Sequence, residues 1–530
     1  MVIAVNNSKR LTGGSTKGPS KAELVFVFLV TLFIPNSAYI VFNMPQLFED
    51  VMIHKFQIKP VEFEAIYSVY SMPNFIAVPL GSQALSYTGL GFGSVIFGGI
   101  VYFGLVIMHA GFYIENYLIV FIGRAIFGMG AETLMCTAPA IFGKWFMGKA
   151  LSISQAMNRA VINAGISLSI IYAPGLFVET RSMGTVFLFY GLATFLSFIA
   201  ATMYTIFEYY YEKKANIDMS KQGSVVELQM KQEAGENIIS VCKEEDMLDE
   251  KDKIFTFADF GCYPPTFWLL TAIFALGTNI YLSFNTFATD FFMNRFGYQY
   301  TEATRMFAIY QVSCIFIIPI LSFLTTPFGR KGFLLILAFV ICGVNMTIMS
   351  LLPPEPNKPL HSALMFSYAV FGSLLLALIW PCMTLCVPSR GAALAFGMAT
   401  SVQNVLIATL PLYFGAINKD RSVRSYNLSL YSLIVMCIIS GVLSLWVTIY
   451  DLKRGSGLIN LPENSKKVEV LRNKIEADYY KYKLEKRDQR MGSEDYKTMV
   501  EAATTHGANT EVRKETQWSD HIPSRRETEG

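Results

Sequence analysis

The chain has 530 residues, 53% hydrophobic and 16% charged, against about 25% charged in an ordinary soluble domain. A net charge of +3 is too small to direct it to nucleic acid. Between Glu64 and Glu115 there is no Asp, Glu, Lys or Arg at all; no soluble surface carries such a stretch, whereas a bilayer hosts it as two crossings and a tight turn.

Taken in chain order, a polar N-terminal tail (1–21) without a cleavable signal pattern precedes six apolar runs, near 22–43, 65–87, 92–113, 117–142, 151–172 and 184–207. Each is long enough to span a bilayer as a helix. The composition then changes, and 208–263 reads as a charged linker, solvated and largely disordered over 208–253. Six further spans follow near 265–292, 303–325, 332–352, 361–387, 392–416 and 427–450, before a polar tail over 451–530. Within that tail, Val468, Leu471, Ile475 and Tyr482 share one side of a charged helix, read as solvated with partner docking as the alternative.

The two halves repeat. A shift of about 243 residues lays Gly148, Ala150 and Leu151 on Gly391, Ala393 and Leu394, and Gly89 on Gly332. Two six-helix units, 22–207 and 264–450, are the sequence mark of a carrier built around a midplane site. Basic residues near the span ends place both termini and the linker on the cytoplasmic side. The fold class expected is therefore an all-α polytopic membrane protein, with twelve transmembrane helices in two pseudo-symmetric bundles. Six of the eight cysteines, Cys136, Cys314, Cys342, Cys382, Cys386 and Cys437, fall in apolar runs at no metal or disulfide spacing. No cofactor or metal is expected, and no phosphate loop or nucleophile–base constellation argues for an enzyme.

Ionisable residues inside spans are costly and mark function by default. The fourth run, GRAIFGMGAETLMCTAP, sets Arg124, Gly128 and Glu132 four apart on one helix stripe. Glu132 falls about 24 Å of helix rise beyond Asn116. The functional reading is a residue of a wet central cavity; the plainer one is an ion pair with a neighbouring helix. On the fifth span Ser152, Gln155, Asn158, Arg159 and Asn163 form a polar face that cannot look at lipid. Arg159 offers a planar fork suited to a carboxylate, so that with Glu132 it could hold a zwitterion by both ends. Tyr67, Tyr70 and Trp380 are candidate stacking residues, and the amides Gln403 and Asn404 complete the candidate substrate-binding set. Pro35, Pro45, Pro73, Pro79 and Pro381 should break or bend spans one, two and ten where the freed backbone lines a cavity.

The GRAIFGMG string fits the fourth-helix pattern of the major facilitator superfamily. With KWFMGKAL, YSVYSMPN, FWLL and ALIWPCMTLCVPSRGAALAFGMATSVQN it resembles the family of major facilitator superfamily domain-containing protein 1, over roughly residues 22–455. The resemblance implies the major facilitator fold and a uniporter that moves dipeptides out of lysosomes, with a heavily glycosylated accessory membrane protein as partner. It carries the family's helix-four glutamate onto Glu132. The helix-five arginine falls at Asn163, while here Arg159 stands one turn earlier. The loop between spans two and three lacks the superfamily's charged residues. The loop between spans eight and nine keeps Gly329, Arg330 and Lys331 but has Thr326 where an acid is expected.

Three functions compete: a carrier of dipeptides or similar zwitterions in a lysosomal-type membrane, by uniport or proton-linked transport; a carrier of a sugar or organic anion; and a non-transporting sensor or scaffold. The charged pair favours the first, since a sugar site wants amides and hydroxyls without net charge.

Overall fold

Apolar runs placed in hydrocarbon must satisfy their backbone internally, and helices do so. The computed structural model describes residues 19–42, 45, 48–222, 253–453, 457–463 and 465–506, so most of the 1–21 tail and the middle of the linker lie outside the described residues. The first span is α1 (Lys21–Phe33) and α2 (Asn36–Phe42), interrupted at Ile34-Pro35. Ser20 and Glu23 close its start with a reciprocal capping box. A short α3 (Glu49–Phe56) leads to the second span, α4 (Pro60–Ser71) and α5 (Asn74–Thr88), broken at Met72-Pro73 as its proline demands. Then come α6 (Leu90–Tyr113), α7 (Tyr117–Trp145), α8 (Gly148–Thr180) and α9 (Met183–Gln222). The second half holds α10 (Pro265–Phe296), α11 (Tyr300–Thr325), α12 (Lys331–Leu351), α13 (Lys358–Cys386), α14 (Ala392–Ile417) and α15 (Val423–Lys453), followed by α16 (Lys466–His506).

Among the described residues, 11 helices are long and apolar enough to cross a membrane. The twelfth crossing is the α4–α5 pair, whose halves are each too short to count alone. The spans gather as two bundles, α1–α9 and α10–α15, which meet along α5 against α14 and α8 against α11. The end of α9 and the start of α10 mark one membrane face, called here the linker face.

Two polar regions differ from the sequence expectation. First, α9 continues past residue 207 to Gln222. Glu208 and Glu212, one turn apart, both reach Lys144 at the end of α7, at 2.7 and 3.0 Å, which holds the helix after its apolar run is spent. Second, the first half of the tail helix packs one face on the protein instead of standing free in water. Val468, Arg472, Glu476, Tyr479 and Lys483 form a buried stripe at i, i+4, i+8, i+11 and i+15. Arg472 donates to the Thr384 carbonyl (2.7 Å) and Ser389 Oγ to Glu476 (2.6 Å). Tyr479 donates to the Lys253 carbonyl (2.9 Å). Asp259, fully buried, takes Lys483 and Lys486, each at 2.7 Å, together with the Thr256 N–H at 2.8 Å. Burial alone would raise the Asp259 carboxyl; the hydrogen bonds from Lys483, Lys486 and Thr256 outweigh it and hold it below the usual carboxylate range. The end of the linker (253–263) and the tail helix are thus one packed unit under the second bundle, with Phe255 stacked between Tyr263 and Tyr479 at 5.0 and 5.5 Å.

Candidate functional site

α7 runs toward the linker face and α8 runs back from it. Glu132 lies about 20 Å of rise from the linker end of α7 and Arg159 about 17 Å from the start of α8, which sets both near mid-membrane. Asn404, about 18 Å along α14, meets that layer from the other bundle. Gly128 makes the neighbourhood possible: a Cβ there would sit 2.7 Å from the Tyr70 carbonyl. Without side chain at 128, α4 closes on α7 and the Tyr70 hydroxyl donates to Glu132 Oε1 at 2.6 Å. Asn404 Nδ2 donates to Glu132 Oε2 at 3.4 Å. The carboxylate, on a residue only 5% exposed, is therefore held by two neutral donors, one from each bundle.

Arg159 is likewise held by a neutral group of the opposite bundle. Its Nη2 donates to the Tyr281 hydroxyl at 2.7 Å, and its Cζ lies 6.0 Å from the Tyr39 ring centre. Tyr281 packs on Tyr310 (6.4 Å) and Tyr310 on Tyr368 (5.1 Å). Among the described residues no ion pair joins Glu132 to Arg159 or to Arg124, so the plainer reading of a structural ion pair at Glu132 finds no counterpart. Asn158, Arg159 and Trp380 line, with Met135, Pro139 and Gln155, a cavity of only about 10 Å³, room for a single water. Below it Gln155 Nε2 donates to Thr384 Oγ1 (2.8 Å), Gln83 Nε2 to the Phe255 carbonyl (2.9 Å), and Ser401 Oγ to the Phe75 carbonyl (2.6 Å). These bonds between the bundles sit at mid-depth or toward the linker face, which is therefore shut.

The remaining candidates divide. Trp380 is wedged between Phe274 (4.9 Å) and Phe396 (5.2 Å). Asn163 is buried one turn beyond Arg159. Gln403 meets this layer through its backbone, its carbonyl accepting from Asn279 Nδ2 at 3.3 Å. Arg124 stands apart, nearer the opposite face. Fully buried, it donates to the Phe42 carbonyl at 2.7 Å inside a ring cage of Tyr70 (4.8 Å), Phe42 (5.4 Å), Phe127 (5.5 Å) and Tyr67 (5.8 Å). Sequence reasoning missed Tyr39, Tyr281 and Tyr310; only their place on apolar spans one, seven and eight could have suggested them.

The description "Major Facilitator Superfamily" belongs to the family model that matches residues 26–411. The chain belongs to that superfamily. Like other members of the superfamily it is a multi-pass membrane transporter and not an enzyme. Among curated relatives it is similar to proteins named lysosomal dipeptide transporter MFSD1. The one from Danio rerio is 23% identical over 444 residues, covering 82% of this chain and 88% of that protein. The one from Homo sapiens is 22% identical over 452 residues, covering 83% and 88%. Among solved structures, a double-tryptophan variant of XylE shares the fold at a TM-score of 0.60 and 13% identity, over 86% of this chain and 98% of that one. The human organic anion transporter MFSD10 shares it at 0.53 and 12%, over 80% and 100%.

Proposed function

We propose that this superfamily member carries dipeptides or related small zwitterions by alternating access, with Arg159 receiving the carboxylate and Glu132 the ammonium group. One observation carries the reading. Two opposite charges share a layer between the bundles, Glu132 buried and Arg159 half-buried, and each rests on neutral hydroxyl and amide partners rather than on the other. Charges withdrawn from water and left on neutral partners are oriented but not neutralised, and a ligand with both charges supplies each missing counter-charge. Because Tyr281 and Asn404 come from one bundle and Arg159 and Glu132 from the other, a ligand here touches both moving parts. A lysosomal-type membrane belongs to the same proposal, supported by the names of the relatives; transport by uniport or with protons, and a glycosylated accessory membrane protein as partner, enter it from the family resemblance of the sequence alone.

The test is uptake into proteoliposomes, screened over dipeptides, amino acids, hexoses and organic anions with and without a pH gradient. Competition by capped ligands then assigns the ends. A charge-assisted hydrogen bond contributes about 1.5–3 kcal/mol, so amidating the carboxylate should weaken binding roughly 10- to 150-fold in wild type and far less in Arg159→Ala. Acetylating the amine should behave in the same way for Glu132→Gln. Equal losses for free and capped ligands in both variants would refute the assignment. Hexose uptake would replace it with a sugar carrier.

A further inference from the structure

After α15 the chain turns back under the second bundle. The Asn460 carbonyl accepts from the Arg330 N–H at 2.9 Å, and Asn460 Oδ1 from the Gly332 N–H at 3.2 Å. Asn460 Nδ2 in turn donates to Asp451 at 3.0 Å. This turn fixes Glu463 beneath the start of α12, where its carboxylate pairs with Lys331; both side chains are 2% exposed. The same Oε1 atom also accepts the hydroxyl of Ser152, from the first turns of α8 in the other bundle. α16 then binds the last turn of α13 and the loop after it through Arg472 and Glu476, and the 253–259 segment through Tyr479 and Lys483. All of these are groups of the second bundle or of the segment leading into it. The tail therefore travels with the second bundle, and at Ser152 it reaches across to the first.

We propose that the post-membrane segment is a gating latch: Glu463, charged and locked in place by Lys331, captures Ser152 and holds the linker face shut until Ser152 withdraws. The geometry suits a reversible catch. Lys331 keeps the carboxylate compensated whether or not Ser152 is present, so release leaves no isolated buried charge. The bond that breaks is one charge-assisted hydrogen bond, strong enough to bias a two-state equilibrium and weak enough to yield. The tail thus acts as a built part of the transport cycle rather than as an appendage.

The experiment reads conformation directly, with no substrate involved, so it stands apart from the dipeptide assignment. Spin labels at Tyr87→Cys and Phe328→Cys, on the linker face of each bundle, report the gap in the full chain in nanodiscs, with Cys242 and Cys262 replaced by serine. Ser152→Ala leaves the Glu463–Lys331 pair intact and should raise the ratio of wide to narrow gap about tenfold, the scale of one charge-assisted hydrogen bond. Ser152→Thr, which keeps a hydroxyl, should restore the narrow gap. Glu463→Gln should move the ratio in the same direction as Ser152→Ala. A distance distribution in Ser152→Ala and Glu463→Gln matching wild type, or an equal widening in Ser152→Thr, overturns the latch.

Discussion

Gly397 lies on α14 where the two bundles meet on the linker side. A Cβ there would stand 2.1 Å from Ser82 Oγ, 2.5 Å from Ser82 Cβ and 3.3 Å from the Val78 carbonyl on α5. Rotating the serine relieves only the first of these, so Gly397→Ala forces the helices apart or strains them. Overpacking of this kind costs about 1–3 kcal/mol. Alanine also gains about 1 kcal/mol of helix propensity over glycine, but that gain is common to the open and closed forms and cancels in their ratio. The closed form alone bears the clash, and its population should fall by roughly 5- to 150-fold relative to the open form. Cys136, buried with Thr400 Oγ1 3.7 Å away across the interface, is the reporter: its alkylation from the linker side should accelerate by the same factor. Gly397→Ala with Ser82→Gly removes the Cβ that clashes and should return the rate to that of wild type. An unchanged alkylation rate together with a higher melting temperature would mean that propensity governs and that the close approach carries no gating energy.

Other outcomes follow from the same structure. Tyr70→Phe removes the 2.6 Å donor to Glu132 and should cost about 1.5–3 kcal/mol in detergent melting, while reducing the penalty for acetylated ligands. Because the Asp259 carboxyl is depressed, its contribution is complete above its unfolded value of about 3.9 and is lost as pH falls through the folded value. Hydrogen-exchange protection over α16, corrected for the intrinsic exchange rate at each pH, should thus be flat from about pH 5 to 7.5 and fall below about pH 4. Asp259→Asn should lower that protection at neutral pH. Phe255→Ala should loosen α16 more than any single alanine on its exposed side, by about 3–5 kcal/mol in local opening energy.

The membrane made the spans legible. A bilayer forces long apolar helices whatever their packing, so all twelve apolar runs can be read from the sequence, and Pro73 marks where the second is split into halves that are each too short to count as a crossing alone. Glu132 and Arg159 were equally visible, since a charge in such a run is costly enough to draw attention. Tyr281 was not. It is one of 27 tyrosines, and it matters only because two bundles more than a hundred residues apart bring it to Arg159. The tail misled for a related reason. Arg472, Glu476 and Lys483 look like a solvated face because their partners, Thr384, Ser389 and Asp259, are some ninety to more than two hundred residues away. Polarity in sequence records the presence of charges, and folding decides whether water or protein answers them.

The break at Pro73 places Tyr70 at a fulcrum. Asn74 Nδ2 donates to the Tyr70 carbonyl at 2.7 Å and to the Gly128 carbonyl at 3.2 Å, pinning the pivot to α7 where Pro73 leaves the backbone free. A lever moves least at its support. If α5, about 22 Å long, swings by about 15°, its linker end travels about 6 Å. The Tyr70 hydroxyl, one turn from the pivot, stays near Glu132 through the same motion. The doorway at the linker face can therefore change width while the group that reads the ligand keeps its aim.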